Sequence, residues 1–128
     1  MMKKVDFLKS FVKSNTPILL QSLNQSDLEI LAKHYPDSTI MMLDNIKTDV
    51  VADEADNLIK ELIDSHQNPL LIFSNVHLYN PSQIRVLYKL VVDKPCPLIL
   101  FGNVNFESPY TDNLPIPLKS RCACVKDD

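Results

Sequence analysis

The sequence predicts a three-layer α/β domain: a mostly parallel sheet of about five strands with helices on both faces. Three observations carry this. Short runs that are apolar throughout recur at residues 17–21, 39–43, 69–74 and 97–102. Such runs suit strands covered on both faces, because a strand with one wet face alternates apolar and polar residues instead. Amphipathic stretches with helical spacing lie between them, and strand–helix alternation is the pattern of a parallel sheet flanked by helices. The 128 residues contain no internal repeat or linker, so one domain, 1–128, is expected to fill the chain.

Val5, Leu8, Phe11 and Val12 fall on one face of a first short helix. The first strand is predicted over 17–21. Asn24 or Ser26 supplies a cap for the next helix, and Asp27 and Glu29 suit its N-terminal dipole. Leu28, Leu31 and Tyr35 recur at helical spacing, and Pro36 stops the helix. After the second strand, 39–43, Asp44-Asn45 is a turn pair. From Thr48 or Asp49 to His66 one apolar stripe, Val51, Ala55, Leu58, Ile59, Leu62 and Ile63, marks the longest helix. The third strand is 69–74. Asn80-Pro81, a cap followed by a first-turn proline, opens a helix with Ile84, Leu87, Tyr88 and Val91 inward. The fourth strand is 97–102. Residues 103–117, with Pro109, Pro115 and Pro117, read as a loop, and 122–125 as a short fifth strand.

Apolar residues make up 45% of the chain and charged residues 23%, the balance of a soluble globular protein that can build a core. A net charge of −3 argues against naked nucleic acid as the main partner, because phosphate binding requires a basic surface. Three cysteines, Cys96, Cys122 and Cys124, do not make a disulfide framework and suit a reducing, cytoplasmic compartment. The N-terminus has the charge of a signal peptide without an apolar run, and no stretch approaches the ~18 apolar residues of a membrane helix.

The chain has a single glycine, Gly102. Folds of this class usually bind nucleotides through a glycine-rich turn after the first strand, where backbone N–H groups close on a phosphate. Here that turn is Gln21-Ser22-Leu23-Asn24-Gln25-Ser26-Asp27-Leu28, with no glycine and no lysine for the terminal phosphate. The third strand ends in Ser74-Asn75. An ATPase needs an Asp there to hold magnesium and a Glu to polarise the attacking water, and neither residue present carries a charge. Two vacancies in one active centre argue against both ATP binding and hydrolysis, so no cofactor is expected.

The segments LLIFSNVHLYNPSQIRVLYKLVVDKP, PLILFGNVNF and LPIPLKSRCACV, with the order of elements over residues 17–125, resemble the P-loop core of the AAA+ ATPases. The likeness is nearest the clamp-loader and helicase-loader branch. It implies an AAA+-like fold whose third strand runs into an acidic pair followed by Ala-His. His77 matches that His. Asn103 or Asn105 matches the polar sensor after the fourth strand. Ser120-Arg121-Cys122 matches a motif whose arginine acts in trans on a neighbour's ATP. The Walker-type loop, the acidic pair and the helical lid domain of the family have no counterpart here.

Other readings stand beside the resemblance. Arg121 is either a solvated arginine at a strand start or a cation at an interface, a task that suits a fixed bidentate group. His77 reads as a packing histidine. Met41-Met42 reads as core, and Asp53, Glu54 and Asp56 as a solvated helix face. Cys122 and Cys124 share a strand face, but with Cys96 they fall short of a metal's ligand set.

The expectation is a non-catalytic protein-interaction subunit of a multi-subunit assembly, which the resemblance places in DNA replication. Its interface would use Ser120, Arg121, Cys122, Asn103 and Asn105 with the 103–117 loop, and no membrane or strong direct nucleic-acid contact. One alternative is an adaptor or inhibitor in another assembly, such as secretion or a phage–host contest. The other is an enzyme built on the strand ends Gln21, Asp44, Ser74, Asn75 and Asn103.

Overall fold

In the computed structural model, residues 3–43, 52–106 and 114–127 are described, with side chains at 52–56 excepted. The described strands form one sheet in the order β2-β3-β4-β1-β5: β1 Ile18–Leu20, β2 Thr39–Leu43, β3 Pro69–Phe73, β4 Leu98–Phe101 and β5 Ala123–Val125. Every pairing is parallel, so the sheet is more uniform than "mostly parallel" requires. Among the described residues five helices accompany it: α1 Lys4–Ser14, α2 Gln25–His34, α3 Ala52–Asp64, α4 Pro81–Asp93 and α5 Ile116–Lys119. A short 3₁₀ turn spans Val76–Leu78.

The apolar runs bury both faces because successive side chains point to opposite sides of a strand. In β3, Leu70 and Ile72 join Leu8, Phe11 and Leu31 beneath α1 and α2. Leu71 and Phe73 join Ile59, Leu87 and Leu90 beneath α3 and α4. β1 and β4 divide in the same way, Ile18, Leu20 and Ile99 facing one layer and Leu19, Leu98 and Leu100 the other. The result is a sheet sandwiched between α1–α2 and α3–α4.

Local chemistry sets the ends. Asn24 caps α2: its Oδ1 accepts from the Asp27 N–H at 2.9 Å, and the Asp27 carboxylate accepts the Asn24 N–H at 3.0 Å. Asn80 and Gln83 repeat that reciprocal pair at the start of α4, before Pro81. With almost no glycine available, Asn15, Asn68, Asn75 and Lys94 take the left-handed positions that end helices or turn the chain.

Two expectations change. Residues 116–119 are helical rather than loop, because Pro115 stands just ahead of the helix and Pro117 within its first turn, where a missing N–H costs nothing. Residues 107–113 of that segment, like Asp44, lie outside the described residues, as do the side chains of Asp53, Glu54 and Asp56. Met42 is exposed rather than core, because β2 is an edge strand, while Met41 packs against the α3–α4 layer.

Candidate functional site

A parallel sheet binds ligands at the carboxyl ends of its strands, where neighbouring strands send their connections to opposite faces. Here that point lies between β1 and β4. β1 leads into α2 on one face, and the chain after β4 reaches α5, whose Leu118 belongs to the other.

The crevice there is crossed by the chain's own bonds. The Gly102 N–H donates to the Leu20 carbonyl at 3.2 Å. The Gln21 side chain donates to the Val104 carbonyl at 3.4 Å and accepts the Asp127 N–H at 3.3 Å. The Ser22 hydroxyl reaches both carboxylate oxygens of Asp127 at 3.0 Å. The turn between β1 and α2 is only Gln21-Ser22-Leu23-Asn24, and in the first turn of α2 the Asp27 N–H donates to the Asn24 cap. Beside that cap the Lys4 ammonium sits 2.8 Å from Asp27 and 3.3 Å from Asp127, and Lys4 and Asp27 are both buried. Anionic ligands favour a helix N-terminus with unpaired N–H groups and positive potential. At this one a carboxylate of the chain already holds that place.

The end of β3 is also turned to structural work. Ser74 is buried, and both its N–H (3.0 Å) and its hydroxyl (3.4 Å) point to the Leu43 carbonyl of β2. Asn75 takes a left-handed conformation (φ 54°), and its carbonyl accepts the Leu78 N–H at 2.9 Å, which starts the 3₁₀ turn. His77 lies against the end of β4, its Nδ1 accepting the Asn103 N–H at 2.9 Å. The ring proton therefore sits on Nε2 when the imidazole is neutral.

The interface candidates fall into two groups. Asn103 and Asn105 are exposed just past β4. Ser120, Arg121 and Cys122 lie between α5 and the start of β5. Lys119 connects them, its ammonium donating to the Asn105 carbonyl at 3.1 Å. The Ser120 hydroxyl closes the α5 end on the Pro117 carbonyl at 3.0 Å. Arg121 is exposed and its guanidinium carbon lies 5.8 Å from the centre of the Tyr88 ring on α4. Cys122 packs against the α3–α4 core, and burial with the neighbouring Cys124 pushes its thiol up to about 12. Burial pushes Cys96 up to about 11. At neutral pH these are thiols rather than thiolates, poor nucleophiles and poor metal ligands. Among the described residues no group of three or more His, Cys, Asp or Glu side chains could hold a metal ion, and no helix is long and apolar enough to cross a membrane.

Sequence reasoning missed Lys4 and Asp127. They are polar residues at opposite ends of the chain, and no local spacing links them. It also passed over the exposed Leu78.

No protein-family model matches the sequence, and no curated protein sequence matches it. Solved structures do. The chain is similar to a DNA polymerase III gamma subunit-related protein from Thermotoga maritima, with a TM-score of 0.60 and 14% identity over 98% of this chain. It is also similar to PCH-2 from C. elegans, with a TM-score of 0.50 and 15% identity over 96% of this chain. It spans 46% and 39% of those two proteins. Likeness at this identity shows the fold: the AAA+-like, P-loop NTPase-like α/β architecture that the sequence resemblance implies.

Proposed function

We propose that this domain is a non-catalytic protein-interaction subunit, an AAA+-like core that works in a multi-subunit assembly of the clamp-loader or helicase-loader kind. The observation that carries the reading is the β1–β4 crevice. Where this architecture would receive a nucleotide's phosphates, a four-residue turn without glycine or lysine is tied to Asp127, and at the α2 N-terminus the Asp27 and Asn24 N–H groups are taken by the Asn24–Asp27 cap. These residues do not fit a triphosphate. Nor does the β3 end fit its magnesium: Ser74 faces β2 and Asn75 is a turn residue. The likeness to a DNA polymerase III gamma-related protein supports the replication setting. In this reading the partners are proteins, the domain works in the cytoplasm without a membrane, and a net charge of −3 disfavours strong direct binding to nucleic acid.

The test is thermal shift with Mg-ATP. A ligand that binds only the native state raises its melting temperature as it saturates. No rise is expected through millimolar nucleotide, and a saturable rise of several degrees would sink the reading. Affinity purification from the native cell then names the assembly.

Arg121 gives a second test once that partner is in hand. Its side chain is exposed and its one ring contact is of a kind worth about 0.5–1 kcal/mol at an exposed site. Arg121→Ala should therefore leave the melting temperature nearly unchanged while weakening the complex by about 2 kcal/mol. Calorimetry beside thermal melting separates the outcomes: unchanged affinity makes Arg121 a solvated arginine, and a large fall in melting temperature makes it structural.

A further inference from the structure

A groove of about 800 Å³ runs along α4 between the 3₁₀ turn and α5, on the layer opposite α1 and α2. Its floor includes Leu78, Ile84, Tyr88 and Pro117. Leu78 is 72% exposed, more than any other described large apolar side chain, and α5, whose Pro117 also lines the groove, leaves Ile116 54% exposed. Leaving a side chain such as Leu78 in water on a concave, largely apolar surface is the mark of a contact surface rather than of core packing.

The rim is cationic. Arg85 lines the groove, and Arg121 reaches it by lying over Tyr88. No carboxylate is among the described lining residues. On the 3₁₀ turn, α4 and α5 the one acidic residue is Asp93, the last of α4. The described lining thus carries a positive and no negative side chain, on a chain whose net charge is −3.

We propose that this groove docks a partner protein's segment of mixed character: apolar side chains to cover Leu78 and Ile84, with flanking carboxylates to meet Arg85 and Arg121. The inference rests on the protein-interaction reading and specifies its surface. Apolar anchors supply affinity, and fixed guanidinium groups supply register, since arginine grips a carboxylate with two parallel bonds. A peptide fits better than nucleic acid. A single strand needs a continuous cationic track beside its stacking platforms, whereas the lining here offers one arginine, Arg85, among apolar and proline residues.

The test is selection of a phage-displayed random dodecapeptide library on the whole protein. Peptides combining aliphatic or aromatic residues with Asp or Glu should be enriched. Synthetic copies should bind saturably, and at least about tenfold more weakly to Leu78→Asp and to Arg85→Glu. Both side chains are exposed, so melting temperatures should hold and a folding defect would be visible as such. No enrichment, enrichment of basic or uncharged peptides, or binding indifferent to both substitutions would overturn the proposal. So would a wild-type protein that sediments as a dimer while Leu78→Asp is monomeric, which would assign the groove to a second copy. Submicromolar binding of a single-stranded oligonucleotide through Arg85 would overturn it too. A native-cell partner that binds both variants as tightly as wild type would leave the interaction reading standing and remove the groove from it.

Discussion

Lys4→Met should destabilise the domain by about 3–5 kcal/mol, a large fraction of the ~5–15 kcal/mol that holds a domain folded. The Lys4 and Asp27 side chains are only 8% and 10% exposed, and their charged atoms are 2.8 Å apart. Methionine keeps most of the buried stem, so the loss is electrostatic rather than a cavity. What remains is a desolvated carboxylate that accepts the Asn24 N–H. That is the costly situation: a buried pair adds little over an apolar pair, but an orphaned buried charge is expensive. Asp127, which is half exposed at 48%, keeps its Ser22 and Gln21 contacts and should contribute little to the loss. Urea denaturation of wild type and Lys4→Met checks the magnitude, with Lys9→Met as an exposed control expected within about 0.5 kcal/mol. Adding Asp27→Asn to Lys4→Met should recover part of the loss by removing the orphaned charge while keeping an acceptor at the cap. A loss below about 1 kcal/mol would mean that water reaches the pair and that the ion pair is of the weak surface kind.

The strands were legible because burial on both faces leaves a signal in every residue. Thr39–Leu43 is found at its predicted bounds, and β3 and β4 within a residue at each end. The caps were legible because Asn24 and Asn80 act within three residues of themselves. Lys4 was not. In sequence it is one cation in a lysine-rich start, and only the packing of α1 against α2 brings it to Asp27. The exposure of Met42 was hidden for a related reason: its run is as apolar as the others, and only strand order makes β2 an edge. The candidate site divides along the same line. The residues absent from the first turn could be read directly. That the turn is also closed by Gln21, Ser22 and Asp127 required knowing that the chain after β5 returns to the end of β1.

Gly102→Ala should cost about 1–3 kcal/mol, toward the upper end of that range for an overpacked site. No positive-φ glycine occurs among the described residues, so Gly102 is required by space and not by backbone conformation. A Cβ built on it would stand 2.7 Å from His77 Nδ1, 3.0 Å from the Val76 nitrogen and 3.2 Å from the His77 nitrogen. The imidazole can swing aside, at the loss of its bond to the Asn103 N–H. The two backbone nitrogens cannot, because the 3₁₀ turn is anchored by Val76, which is fully buried, and by the Asn75–Leu78 bond. The strand end must therefore move, and with it the Gly102 bond to Leu20. This separates two explanations by measurement. If the ring alone were the obstacle, His77→Ala would restore nearly all the stability of Gly102→Ala. If the backbone contacts dominate, it restores only a small part, and the two substitutions are non-additive because they share one contact. Denaturation midpoints for the two single variants and the double variant decide it. A Gly102→Ala protein as stable as wild type would show that the β4 end yields freely. The outcome bears on function as well as packing. A related architecture uses glycine to bring backbone to a phosphate. This chain uses its single glycine to bring the end of β4 against the turn that follows β3, a close approach made for its own side chain rather than for a ligand.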